Sequence, residues 1–355
     1  MTLRVAVICG GRSSEHEVSC ISAGGVISAI DRSKFEPILI GITKGGHWVL
    51  LPEDSSLTIN DGDLPEVVDS AQRVVVDVAG FSVAGKDLKI DLVFPLLHGP
   101  YGEDGTIQGL LEMANLPYVG SGVLASAVAM DKSFAKPIFS AQEMATVAGI
   151  VLKANQWLAD PGSVLEQVKK LGYPVFVKPA RGGSSRGTSK VHSETELATA
   201  IETALQFDPK VMIEEAIVGS EIECAVLEIA GEPQASVVGR ISIDPKFEFY
   251  DFEAKYLDGA TSIELPAAIP PGIAEEIRTT AIKAFQALGC SGLARVDFFL
   301  TDTGKIIINE LNTMPGFTAT SVFPKMWQAS GVSYTEVISH LIESALLRRN
   351  GVLGN

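Results

Sequence analysis

The chain has 355 residues, 46% apolar and 20% charged, a globular composition too long for one ordinary core. A formal charge of −15 argues against nucleic acid or an anionic membrane as partner, and no run approaches the roughly 20 apolar residues of a membrane span. Cys9, Cys20, Cys224 and Cys290 form no CxxC pair, and the first apolar run is too short for a signal peptide, so buried free thiols in a cytoplasmic protein are expected.

Residues 4–8 read as a short apolar strand entering a Gly-rich loop, 9–17. A helical pattern follows to Ile30, then a strand over 35–42. Residues 90–97 form a second buried-strand run ending in the loop 98–105, with a helix from about Thr106. Alternating strands and helices predict a parallel α/β first domain, with both loops at the carboxyl ends of strands, where ligands gather. Residues 117–122 read as a last strand and its exit turn. Gly120-Ser-Gly122-Val-Leu-Ala125 matches GxGxxA, but a dinucleotide fingerprint belongs in the first strand–helix turn, and this one closes the domain.

From 130 to 190, nine Lys or Arg stand against four Asp or Glu, a local excess that suits a small polyanion such as a nucleotide. Lys178 ends an apolar strand and precedes a proline, which pushes it to extended geometry and puts its ammonium at the mouth of the sheet. The loop 180–187 follows; its glycines let backbone N–H groups approach phosphate oxygens, although a solvated loop has the same composition. No GxxxxGK[ST] occurs, which disfavours a P-loop enzyme. A helix is expected over 194–206 and a strand over 211–217. That strand turns polar at Glu214, either an ordinary strand end or an acceptor for the exocyclic amine of adenine. Strands are expected near 221–229 and 234–243. Residues 247–256 mix aromatic and charged side chains, as an edge strand or as a lid carrying Lys255 and Tyr256. The histidines at 16, 47, 98, 192 and 340 show no metal-ligand spacing.

After a helix to Leu288, two apolar runs flank Thr301-Asp302-Thr303-Gly304 and predict a hairpin; a helix over 334–347 closes the chain. With Thr303-Gly304 as a two-residue turn, Asp297 faces Glu310 and Arg295 faces Asn312, all on one face. Two carboxylates and an amide oxygen are hard ligands of the kind that Mg²⁺ takes together with substrate phosphates. One residue of slip would disperse them, and a plain surface hairpin is the competing reading.

The order of these features resembles the ATP-grasp superfamily, and within it the D-alanine–D-alanine ligases of bacterial cell-wall synthesis. The resemblance rests on the run from Gly10 to Ser19, His98-Gly99 with Gly102-Glu103-Asp104-Gly105, Gly120-Ser-Gly122 and Met130-Asp131-Lys132. It continues in Val177-Lys178-Pro179, Gly183-Ser184-Ser185, Asp251 to Tyr256, Arg295-Val296-Asp297 and Asn309 to Gly316. It implies three α/β domains, 1–126, 127–217 and 218–355: a parallel α/β domain, then two α+β domains that sandwich ATP. It further implies that Lys132, Lys178 and Ser185 meet the ATP phosphates, that Glu214, Ala216 and Ile217 hold adenine, and that Glu221 holds ribose. Asp297, Glu310 and Asn312 would bind two Mg²⁺, with Mn²⁺ as an alternative. Glu15 would take the ammonium of the first D-alanine, beside Val18 and His98. Lys255, which also reaches the nucleotide, and Ser321 would hold the carboxylate of the second. Glu15, Ser184 and Tyr256 would form a hydrogen-bonded chain closing the lid, and Arg295 with the Gly316 N–H would stabilise an oxyanion. Glu215-Ala216 departs from the lysine and bulkier residue of many relatives. Tyr256 is the residue expected for peptide rather than D-lactate ester formation; ligation to D-lactate or D-serine is the alternative. A homodimer is the family-based expectation.

Overall fold

The run LRVAVICG is too apolar to face water on either side, and it becomes strand β1 (Leu3–Gly10), with a parallel partner on each flank. A computed structural model describes residues 2–59, 63–243 and 261–348. Its first sheet adds β2 (Phe35–Ile42) and β3 (Trp48–Leu50). A small separate meander follows, β4 (Val74–Asp77), β5 (Gly80–Val83) and β6 (Lys86–Asp87), which the sequence pattern does not announce. Next is β7 (Leu92–Pro95), and the first sheet runs β3-β2-β1-β7. It is not wholly parallel, because Thr43-Lys-Gly-Gly-His47 folds β3 back antiparallel onto β2. The expected last strand at 117–122 is reduced to a single bridge, Val93 to Tyr118.

A second sheet holds β8 (Gly149–Lys153), β9 (Val175–Pro179), β10 (Ser189–Val191) and β11 (Lys210–Glu215), in the order β10-β9-β11-β8 with every pairing antiparallel. A third holds β12 (Gly219–Ile229), β13 (Glu232–Ile243), β14 (Thr261–Glu264), β15 (Leu293–Thr301) and β16 (Ile306–Asn312), in the order β14-β13-β12-β15-β16. The hydrophobic cores are distributed unequally. Val5, Val7 and Phe94 of the first sheet share one core with Ala225 and Leu227 of the third and with Phe317, Trp327 and Leu341 near the chain end. The other face of the third sheet buries Ile222, Val296 and Phe298 against the helix Pro271–Ala287 and against Ala135 and Phe139 of the helix Lys132–Ala141. The second sheet keeps a core of its own, with the helices Pro161–Leu171 and Glu194–Leu205. All four cysteines are buried and free. No helix among the described residues is long and apolar enough to cross a membrane.

The β15–β16 hairpin pairs Asp297 with Glu310 and Arg295 with Asn312, as the sequence predicts, but by another route. Its loop has three residues, not two: the Thr301 N–H reaches the Lys305 carbonyl at 3.0 Å, and Gly304 adopts φ +82°. That alone would shift every partner by one. A bulge between Asp297 and Phe298 leaves Asn309 as the extra residue and restores the pairing. Thr43 to His47 repeats the same turn, with Gly46 at φ +87°.

At the end of β1, Gly10 has φ +85°, and a Cβ there would stand 2.3 Å from the Ile42 carbonyl oxygen. Gly10→Ala is expected to lower stability by roughly 1–3 kcal/mol in thermal or denaturant unfolding; an unchanged midpoint would show that the strand exit relaxes freely.

Candidate active site

Period-two alternation gives the second sheet one apolar and one polar face, and the third sheet one wholly apolar face and one that is apolar at Ala225, Leu227 and Leu293 and polar at Glu223, Arg295 and Asp297. Val175 and Val177 of β9 and Val211 and Ile213 of β11 enter the second core, so Lys178 and Glu214 project from the opposite face. Ala294, Val296 and Phe298 of β15 enter the third, which turns Arg295 and Asp297 the other way. The two polar faces border a cavity of ≈ 600 Å³, lined among others by Lys132, Lys178, Glu214, Arg295, Asp297 and Glu310. Ala216 and Ile217 line it just past the end of β11, Glu221 lines it from β12, and Ser184 and Ser185 line it from the loop 180–187.

Charges in this cavity are matched at short range. Lys132 Nζ is 2.9 Å from Glu310 Oε2 and donates to the Gly182 carbonyl at 3.0 Å. Burial pulls the Lys132 pKa down, but the Glu310 carboxylate outweighs it and the ammonium is held above its usual range. Lys178 Nζ is 2.7 Å from Glu214 Oε2 and donates to Asn309 Oδ1 at 3.4 Å. Glu214 is 3% exposed, and a second ammonium, Lys136, bonds its other oxygen. Burial alone would raise the Glu214 pKa; Lys178 and Lys136 together bring it below the ordinary carboxyl value. Arg295 grips both oxygens of Asp297 at 2.7 Å each and lies 3.3 Å from Glu223, which pairs across the sheet with Asp297. The Asn312 amide nitrogen donates to Asp297 at 3.1 Å, a bond that does not use its oxygen. Two carboxylates and an amide oxygen on paired strands form a hard donor set and fit a divalent ion.

On the far side of the Gly-rich loop, Ser184 donates to Glu15 Oε1 at 2.5 Å. Ser184 and Ser185 have φ of +49° and +55°, a left-handed geometry that non-glycine residues hold only where surrounding contacts enforce it. Arg181, bidentate to Asp208 at 2.7 and 3.0 Å, anchors the start of this loop. Gly99 is required here: it has φ +72°, and a Cβ would meet Glu15 Oε2 at 2.6 Å. His98 is buried and, by burial first, held below its usual pKa. Neutral, it donates from Nδ1 to the Met314 carbonyl and accepts from the Ser22 hydroxyl at Nε2, each at 3.0 Å.

Glu103 accepts from the Gly99 N–H at 2.7 Å and from the Met314 N–H at 3.4 Å, tying the same loop to the exit of β16. With Lys132, Glu310 and Asn312 it lines a second, smaller cavity of ≈ 30 Å³. Val18, His98, Gly316 and Ser321 border neither cavity. Ser321 precedes the helix Val322–Ala329, its hydroxyl accepting from the Thr318 N–H at 3.1 Å rather than from the helix, and it crowds Gly316, where a Cβ would come within 3.2 Å. Lys255 and Tyr256 lie outside the described residues.

Sequence reasoning missed Lys136, Glu223, Glu103 and Asn309 as site residues. Lys136 carried a usable signal, since it stands four residues after Lys132 and so shares its helix face. Glu223 could have been placed by alternation from Glu221.

Two family profiles match this chain: one described as D-ala D-ala ligase N-terminus over residues 4–121, and one described as D-ala D-ala ligase C-terminus over 138–343. The chain belongs to the D-alanine–D-alanine ligase family. It is 50% identical to the D-alanine–D-alanine ligase of Arthrobacter sp. (strain FB24), the alignment covering 98% of this chain and 95% of that one. It is 47% identical to that of Mycolicibacterium smegmatis, covering 98% and 97%. Among solved structures, VanG D-Ala:D-Ser ligase from Enterococcus faecalis aligns with a TM-score of 0.85 at 37% identity, over 97% of this chain and all (100%) of that one. The D-alanine-D-alanine ligase from Coxiella burnetii gives 0.83 at 34%, over 97% and 94%. The fold is therefore the ATP-grasp architecture, and the family uses ATP with a divalent metal.

Burial first, then the Glu15 charge, push the Glu103 carboxyl up to about 8. A raised acid stabilises the fold fully below its unfolded pKa and loses that contribution as pH rises through the folded value. Thermal unfolding of wild type should therefore lose stability relative to Glu103→Gln between about pH 4.5 and 8; parallel curves would mean that Glu103 ionises normally.

Proposed function

We propose that the chain joins two D-alanines into D-alanyl-D-alanine, consuming ATP through an acyl-phosphate intermediate, for peptidoglycan precursor synthesis. The observation that carries this reading is the cavity between the second and third sheets, where Lys132, Lys178, Asp297 and Glu310 converge. A carboxylate is a poor acylating agent because its leaving group would be an oxide. The carboxylate of the first D-alanine attacks the γ-phosphorus of ATP, giving D-alanyl phosphate and ADP. The neutral amine of the second D-alanine then attacks the acyl carbon, inorganic phosphate leaves with the C–O bonding pair, and the amine proton passes to solvent or phosphate.

Each side chain has a task in this scheme. Lys132, Lys178 and Ser185 meet phosphate oxygens; Glu214, Ala216 and Ile217 hold adenine, and Glu221 the ribose. Glu15 receives the first ammonium, in a subsite shaped by Val18 and His98. Ser321 and Lys255 take the second carboxylate, Lys255 also reaching the nucleotide. The Ser184–Glu15 bond supports a chain that Tyr256 would complete as the lid closes, shutting out water. Arg295 and the Gly316 N–H face the developing oxyanion. Asp297, Glu310 and Asn312 would hold two Mg²⁺, or Mn²⁺, which neutralise charge on the transferring phosphoryl group when bound. The reading further takes the chain as a cytoplasmic homodimer divided into units 1–126, 127–217 and 218–355. The three larger sheets support that division, while the helix Lys132–Ala141 packs on the third.

Mass spectrometry of a reaction with ATP, Mg²⁺ and D-alanine should show the dipeptide, ADP and phosphate in equal amounts. ADP formed without dipeptide would overturn the proposal. Glu310→Gln should fold normally and lose roughly 100-fold or more in turnover, since it removes a cation ligand and leaves Lys132 without its partner; wild-type turnover would remove Glu310 from the metal site.

A further inference from the structure

Lys136 belongs to no part of the scheme above, yet it is one of the most deeply placed charges in the chain. It is 6% exposed, sits one turn beyond Lys132 on the helix Lys132–Ala141, and does not border the cavity. Its ammonium bonds Glu214 Oε1 from behind, while Lys178 bonds Oε2 at 2.7 Å from the cavity side. Two cations thus share one buried carboxylate. The arrangement has a chemical logic if the cavity holds a nucleotide. Lys178 cannot serve a phosphate and remain the only counter-ion of Glu214. A buried carboxylate deprived of its cation would either recapture the lysine or take up a proton. Protonated, it would offer a donor where the exocyclic amine of adenine needs an acceptor.

We propose that Lys136 is a positioning residue of the nucleotide site: it keeps Glu214 ionised and oriented toward adenine, and so leaves Lys178 available to the phosphates. This rests on the nucleotide reading given above. Lys136 acts only through Glu214 and touches neither substrate nor reacting atoms. The charged groups that face it are Glu214 of β11, Lys178 of β9 and Lys132 of its own helix, the last held in turn by Glu310. Burial first, then the Lys178 charge, bring its pKa down to about 8. Its hold on Glu214 therefore weakens as pH rises through that value.

The test uses the full-length enzyme with Lys136→Met and Lys136→Arg, reading ATP binding by calorimetry and steady-state kinetics against pH. Lys136→Met should raise the KM for ATP about tenfold, the worth of one charge-assisted hydrogen bond. Turnover and the KM for D-alanine should stay near wild type. Wild type should show a rise in KM for ATP above about pH 8, and Lys136→Arg should keep wild-type ATP affinity at neutral pH and lack that rise, because a guanidinium stays charged there. In a Glu214→Gln background, Lys136→Met should have little further effect. Unchanged ATP affinity in Lys136→Met, or an equal loss for both substrates, overturns the proposal. Should the methionine variant not fold, an arginine variant with the wild-type pH profile overturns it as well. A wild-type protein that takes up no ATP overturns both this inference and the nucleotide reading beneath it.

Discussion

A carboxylate taken out of water stays ionised most readily with a cation at hydrogen-bond distance, because leaving the charge alone costs several kcal/mol. Four acids around the main cavity meet that demand: Glu214 through Lys136 and Lys178, Glu310 through Lys132, and Asp297 and Glu223 through Arg295. The partners mostly come from different elements. Lys132 starts a helix and reaches across to β16, and Lys178 ends β9 and reaches β11 and Asn309. Lys136, on a helix packed against the third sheet, reaches Glu214 of the second, and the Lys178–Asn309 bond crosses the same boundary, so the groups that set the cavity's chemistry also join the two sheets. Each lysine is already positioned beside an acid, so an anionic ligand and the cations that accompany it can exchange partners with these side chains without leaving any charge unmatched.

Much of this was legible in the sequence, though not always for the right reason. Alternation placed Arg295, Asp297, Glu310 and Asn312 on one face, and the structure agrees. The turn was misread by one residue, and the Asn309 bulge, which no local propensity announces, returned the register. Thr-x-x-Gly occurs at 43–46 and at 301–304, two hairpins with three-residue loops, with the threonine hydroxyl accepting from the residue after the glycine, so the three-residue loop did have a signature. Lys136 was obscure for a different reason. It lies inside a helix beside Pro137, and a lysine there reads as solvated surface until the tertiary fold supplies Glu214. Glu103 likewise depends on a contact 211 residues away in sequence, at Met314. Local pattern gives the face a residue occupies; the partner on another element comes from topology.

The two seams of the molecule differ in kind. Between the first sheet and the chain end the contact is apolar, with Phe94 packed against Phe317 at 5.6 Å between ring centres, and Val5, Leu341 and Trp327 in the same core. Between the second sheet and the rest it is mostly ionic and hydrogen-bonded, through Lys136 to Glu214, Lys132 to the Gly182 carbonyl, Lys178 to Asn309 and Ser184 to Glu15, with a backbone bond from the Lys132 N–H to the Ala180 carbonyl. The second sheet's own core draws on no residue from either neighbour.

That asymmetry makes the molecule resemble a jaw on an anvil. Charge contacts weaken in salt and re-form without a volume penalty, whereas interlocked aromatic rings do not slide. A displacement of the lobe of residues 149–215 would break charge contacts and leave its own core intact. The two ends of the chain share one interior, so opening either exposes apolar surface of the other.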